Sequence, residues 1–133
     1  MQLSPYLLFN GNCEVVLKFY EKVLGGKIES MRKYADTPMA DKVSPDWRNK
    51  IIHAHMKIGD RVLMASDAPT EHYEKPQGFS LTLDGLKSAE EAKRIFDALA
   101  EKGTIKMPLQ KTFWAESFGM LVDQFGIAWM VLF

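Results

Sequence analysis

Phe79-Ser80-Leu81-Thr82-Leu83-Asp84-Gly85-Leu86-Lys87-Ser88-Ala89-Glu90-Glu91-Ala92 starts an order of elements that the chain has already run through once. Phe79 to Leu83 reads as a strand. Ser88-Ala89-Glu90-Glu91 is a capping box, in which the serine hydroxyl and the Glu91 carboxylate satisfy free N–H groups reciprocally. The helix that follows carries Ala92, Ile95, Phe96, Leu99 and Ala100 on one face and is expected to stop at Gly103. Thr104 to Leu109 reads as a strand, with Ile105, Met107 and Leu109 alternating. Ser117 to Asp123 reads as another, and Asp123-Gln124-Phe125-Gly126 as a turn. Ile127 to Phe133 is apolar on both faces, which suits a strand buried on both sides.

The earlier half has the same plan. Pro5 to Phe9 is a short apolar run closed by Asn10-Gly11-Asn12. Val15, Val16, Phe19, Tyr20, Val23 and Leu24 then recur at helical spacing, with Asn12 as the expected N-cap and Gly25-Gly26 as the stop. Lys27 to Tyr34 alternates weakly. Asp36 to Asn49 is polar, contains Pro38 and Pro45, and reads as a loop with room for a helical turn. In Ile51 to Ile58, Ile52, Ala54, Met56 and Ile58 face one way, and Ile51, His53, His55 and Lys57 the other. Gly59-Asp60 is a hairpin turn, and Val62 to Ser66 the return strand.

This is strand-helix-strand-strand-strand, twice. Its expected domain plan is a single domain over residues 1–133, with one module over about 1–68, a linker over about 69–77 and a second module over about 78–133. Each helix covers one face of its sheet, so the other face must meet something. Two such sheets, edge to edge and curved, would enclose a cavity. The crossovers are expected to be right-handed.

Composition bounds the function. Of 133 residues, 47% are hydrophobic and 26% charged, as in an ordinary globular domain. Seventeen Lys and Arg balance seventeen Asp and Glu, which argues against a nucleic-acid partner. No apolar run approaches the roughly 20 residues of a membrane span, and the N-terminus lacks the pattern of a signal peptide. The single cysteine, Cys13, forms no intramolecular disulfide, so a cytoplasmic setting is expected.

Local strings sharpen the duplicated order. Pro5-Tyr6-Leu7-Leu8-Phe9-Asn10-Gly11-Asn12-Cys13-Glu14, Ile52-His53-Ala54, Leu63-Met64-Ala65-Ser66-Asp67, Met107-Pro108-Leu109-Gln110, Thr112-Phe113-Trp114 and Asp123-Gln124-Phe125-Gly126-Ile127 with Trp129-Met130 resemble the PhnB-like branch of the vicinal-oxygen-chelate superfamily. That superfamily contains glyoxalases, bleomycin- and fosfomycin-resistance proteins and extradiol dioxygenases. The resemblance implies an α+β fold of two βαβββ modules forming a cupped mixed sheet, and a homodimer. It also implies metal ligands on the first and last strands of each module. Here those positions fall near Leu7 or Phe9, near Gly78 or Ser80, and at Met130, none of them a good ligand for zinc, nickel or iron. Some members of the branch are named as demethylubiquinone methyltransferases. No glycine-rich nucleotide loop follows a strand here.

The remaining chemistry-bearing side chains have two readings each. His53 and His55, two apart on a strand, can chelate one metal, with Asp60, Asp67, His72, Glu74 or Glu116 as the third ligand. They equally suit a polar strand face continued by Lys57. Cys13, at a helix start, is either an activated thiol or a packed small hydrophobe. Thr112, Phe113, Trp114 and Glu116 suit a pocket wall, with Glu116 orienting a ligand or acting as a base if burial raised its pKa. They also suit a hairpin packed on the sheet or across a dimer. Arg32, Arg48 and Arg61 could pair with an anion or remain exposed. The Pro38-to-Asn49 loop, with Met39 and Trp47, could be a lid or a dimer contact. Most methionines are core filler. Met130 replaces a family ligand and is expected to face the cavity. The expected site is therefore Leu7, Phe9, Trp114, Glu116 and Met130, binding a small hydrophobic molecule. The alternative is a lyase, isomerase or dioxygenase that uses a divalent metal on His53 and His55.

Overall fold

A 12-residue helix, α1 (Cys13–Leu24), buries Cys13, Val16, Leu17, Tyr20 and Val23 along one stripe. The stripe turns away from Val15, which is 61% exposed although its spacing placed it on the apolar face. Asn12 makes no side-chain cap bond. The free N–H groups of Gly11 and Cys13 donate instead to Oδ1 of Asp67, at 2.9 Å each. Gly25 takes the left-handed conformation at φ 72° and closes the helix.

The computed structural model describes residues 1–133. They divide into two compact units, Met1–Glu74 and Lys75–Phe133. In the first unit, strands β1 (Tyr6–Phe9), β2 (Lys27–Lys33), β3 (Ile51–Ile58) and β4 (Arg61–Asp67) form one sheet in the order β1-β4-β3-β2. The β1–β4 pair is parallel and the other pairs are antiparallel. Tyr34 lies outside β2 and opens the first of three short 3-10 turns, Tyr34–Asp36, Ala40–Lys42 and Pro45–Trp47, in the segment read as a loop.

The second unit contains β5 (Leu81–Leu83), α2 (Ala89–Ala100), β6 (Thr104–Gln110), β7 (Phe118–Val122) and β8 (Ala128–Leu132). Its sheet runs β5-β8-β7-β6, the same order as the first, with its parallel pair again first. Each unit is thus one βαβββ module with a four-stranded mixed sheet and one helix, the duplicated plan expected from the sequence.

Local details differ from that plan. Ser88 accepts from the Glu91 N–H, but the Glu91 carboxylate reaches the N–H of Lys87 rather than that of Ser88. The left-handed residue after α2 is Lys102, at φ 60°. Gly103 serves a different need: a Cβ there would lie 2.3 Å from the Val122 carbonyl oxygen. Gly26 is in the same position after α1, where a Cβ would lie 2.8 Å from the Lys57 carbonyl oxygen. β8 is buried on one face only: Trp129 and Val131 are inside, while Ala128, Met130 and Leu132 are half-buried.

Candidate functional site

Parity along each strand separates the helix-covered face from the other. In the first unit, Leu7 and Phe9 are 2% and 3% exposed and pair with Ala65 and Asp67. They belong to the buried layer with Leu63, Ala54 and Met56. The expectation that they line a ligand site is corrected on this point. The opposite face of β1 carries Tyr6 and Leu8, both partly exposed. A one-residue difference in register reverses every side chain of a strand, and the apolar run Tyr6-Leu7-Leu8-Phe9 has no polar alternation to fix it.

Tyr6 shares its face with the two strand histidines. Its hydroxyl lies 2.9 Å from Nδ1 of His53, in a hydrogen bond. The His53 and His55 rings meet edge to face with centroids 4.6 Å apart. Across the sheet, His55 pairs with Met64 on one side and Ser30 on the other, and Arg32 pairs with His53. Burial, together with the nearby His55 and Arg32, holds the His53 pKa below the ordinary histidine value.

The proposed third ligands for a metal are not gathered there. Asp67 is buried, with Oδ1 taken by Gly11 and Cys13 and Oδ2 accepting the Ile51 N–H at 2.9 Å. Asp60 sits in the β3–β4 turn beside Arg61, His72 and Glu74 are exposed, and Glu116 belongs to the second unit. No group of three His, Cys, Asp or Glu side chains is placed to hold an ion. The positions where the resemblance implies ligands offer an unsuitable donor set. Leu7 and Phe9 are hydrocarbon, Gly78 has no side chain, Ser80 precedes β5, and Met130 presents a thioether. These residues do not fit a zinc, nickel or iron centre.

Cys13 is fully buried. Burial first, then the Asp67 and Glu14 carboxylates, push its thiol well above the ordinary range. That environment is the opposite of an activated thiolate site. Arg48 donates from Nε to the Ala40 carbonyl, and Arg61 makes an exposed pair with Asp60.

In the second unit the face turned from α2 is apolar. Phe118, Met120 and Val122 on β7 alternate with buried Gly119 and Leu121, and Ala128, Met130 and Leu132 on β8 with Trp129 and Val131. Gly119 marks the helix side, because a Cβ there would lie 2.6 Å from Cε2 of Phe96 on α2. The register then places four side chains in one row across the sheet. Thr82 pairs with Met130, Met130 with Met120, and Met120 with Met107. Met130 is half-buried on this face.

Met107 joins the row because of an irregularity. Ile105 pairs with Leu121, but Met107 pairs with Met120, so Lys106 is an extra residue in β6. Such a bulge re-aims the side chains after it. Simple alternation would put Ile105 and Met107 on one face, and the sequence contains no glycine or proline at Lys106 to mark the change. Two residues along β7 from Met120 the face is aromatic: Trp114 lies 5.5 Å from Phe118 and Phe113 lies 4.7 Å from Trp114, between ring centroids. Trp114 is 54% exposed. Glu116 is exposed as well, so the desolvated carboxylate considered as a base is not formed there.

A cavity of about 400 Å³ opens at the other end of this face, lined by Lys75, Phe79, Thr104, Lys106, Val122 and Ala128 among others. A second, of about 240 Å³, lies in the first unit beside the start of α1, with Lys18, Lys50 and Asn49 in its wall. The strands adjoining the larger cavity were visible in the sequence. Its two lysines were not, because their place depends on the bulge and on the path of residues 75–79.

Comparison with known proteins follows the same lines. The sequence model of the glyoxalase/bleomycin resistance protein/dioxygenase superfamily matches residues 2–131. The chain is 38% identical over 141 residues to protein YjdN of Escherichia coli K12, covering 98% of this chain and 94% of that one. Protein PA1353 from Pseudomonas aeruginosa has a structure with a TM-score of 0.89 and 47% identity, over 99% of this chain and 96% of that one. A PhnB protein from Bacillus cereus matches at TM-score 0.78 and 25% identity, over 99% and 98% of the two chains. The chain belongs to the glyoxalase/bleomycin resistance/dioxygenase superfamily, in its PhnB-like branch.

Proposed function

We propose that the protein binds a small hydrophobic molecule on the face of the second sheet turned away from α2. The observation that carries this reading is the row Thr82, Met130, Met120 and Met107, aligned across four strands. Thioethers are flexible and polarizable, so a row of them adapts to apolar ligands of varied shape. Phe118 and Trp114 extend the surface at one end. A strand position implied for a metal ligand is here a methionine, which favours binding over metal chemistry. The resemblance supports a homodimer, for which sedimentation velocity should report twice the chain mass of 15.1 kDa. The lone, buried Cys13 suits a reducing, cytoplasmic setting.

The test is binding of Nile red, an uncharged dye whose emission shifts in apolar surroundings. Met130→Trp should weaken it by about tenfold or more by filling the row. Val15→Trp, on the exposed side of α1, should leave it unchanged. Equal affinity of Met130→Trp and the parent protein would remove the assignment.

A further inference from the structure

The methionine face leads into the larger cavity, and the two differ in charge. Val122 and Ala128 line the cavity and pair with each other in the β7–β8 ladder. They lie on the same faces of their strands as Met120 and Met130. The cavity's other walls bring in Lys75 and Lys106, with the Thr104 hydroxyl and the Phe79 ring. No carboxylate lines it. Neither lysine takes part in any of the chain's ion pairs, which join Lys18 to Glu14, Arg61 to Asp60 and Lys93 to Asp97. Two lysines bordering one cavity that holds no carboxylate make its mouth positive, which attracts an anion. Lys106 is the extra residue of the β6 bulge, so the irregularity that brings Met107 into the row also puts Lys106 in the cavity wall.

We infer that the ligand of this face is an elongated apolar anion, with a carboxylate held by Lys75 and Lys106 and a hydrocarbon body lying along Met120, Met130 and Phe118. The inference rests on the binding function proposed above and names the ligand's chemical class. The face is long enough for it: Val122 to Phe118 spans four residue steps of a strand, about 13 Å. The volume, about 400 Å³, lies within the usual range for small-ligand sites. The charge-assisted contacts fix the head, and the thioethers accept a tail of varied shape.

Calorimetric titration with decanoate, decanol and decyltrimethylammonium separates charge from apolar binding, because the three share one tail. Decanoate should bind about tenfold more tightly than decanol, and the cation more weakly than either. The Lys75→Gln/Lys106→Gln double variant changes two exposed side chains and should fold normally by circular dichroism. It should bind decanoate and decanol equally, and its decanol affinity should match the parent's. Added salt should narrow the decanoate preference in the parent protein. Equal binding of decanoate and decanol by the parent, or a preference that survives the double substitution, would overturn the inference and leave the apolar face standing. Binding of neither would overturn both.

Discussion

Asp67 ties three separate segments of the first unit together. Its two oxygens accept the N–H groups of Gly11, Cys13 and Ile51, so one carboxylate caps α1, closes the turn after β1 and fixes the start of β3. Tyr34 donates its hydroxyl to the Asp67 carbonyl, adding the turn that follows β2. Replacing the side chain by alanine leaves three inner donors unsatisfied, and Asp67→Ala should lower stability by about 3 kcal/mol or more in urea unfolding. Asp123 has a similar role in the second unit, accepting from Phe125 N, Ile127 N and the Trp129 indole. From sequence, Asp67 was indistinguishable from a metal ligand, because a carboxylate shows its use only when its distant N–H partners are known. Cys13 was open to two readings for the same reason. Buried as it is, its thiol should resist alkylation by iodoacetamide in the native protein and react once the chain is unfolded; rapid native labelling would contradict the burial. His53 gives a pH signature. Its folded value is depressed by burial and by His55 and Arg32, so below about 6.5 the unfolded chain binds more protons than the folded one. Stability should therefore fall as pH drops through that window, and the decline should shrink in His53→Gln.

At the scale of elements, periodicity carried the reading well wherever one face of an element is buried and the other is not. Both helices show it, and β3 does from His53 onward, so the repeat of strand, helix and three strands followed from them. At the start of β3 the expected faces are reversed: Ile51 is buried with Ala54 and Met56 while Ile52 is half-buried, beside a register shift against β2. Two further things escaped it. β1 is apolar on both faces, so nothing in Tyr6-Leu7-Leu8-Phe9 told which pair turns inward. The β6 bulge breaks alternation at Lys106, where no glycine marks it; Pro108, two residues on, falls in a second register shift between Met107 and Gln110. Six of the nine glycines take positive φ, and the other three mark close approach. Gly26 and Gly103 each stand where a side chain would strike a neighbouring strand's carbonyl, at the same point of the two modules. Gly119 lets α2 lie on the sheet, with the Phe96 ring and the Leu109 backbone where its Cβ would be. Gly119→Ala should cost about 1–3 kcal/mol through overpacking, read as a lower thermal midpoint. Combining it with Phe96→Leu should recover part of the loss.

At the scale of the whole molecule, one strand order occurs twice, yet the two helix-distal faces have diverged. The row Tyr6, Met64, His55 and Ser30 in the first unit corresponds to Thr82, Met130, Met120 and Met107 in the second. One is polar and aromatic, the other chiefly thioether. Duplication was legible from the order of elements, but the divergence was not, because it depends on cross-strand register. The superfamily fold is thus kept here, while the positions implied for metal ligands carry side chains unsuited to zinc, nickel or iron. The central claim is that the second unit's methionine face is a binding surface. Its most direct test is NMR of protein labelled with ¹³C at the methionine methyl groups and titrated with decanol. The account predicts that the Met107, Met120 and Met130 methyl signals move together and saturably, while that of Met56, fully buried in the first unit, stays fixed. Saturable binding that leaves those three signals unmoved would contradict it.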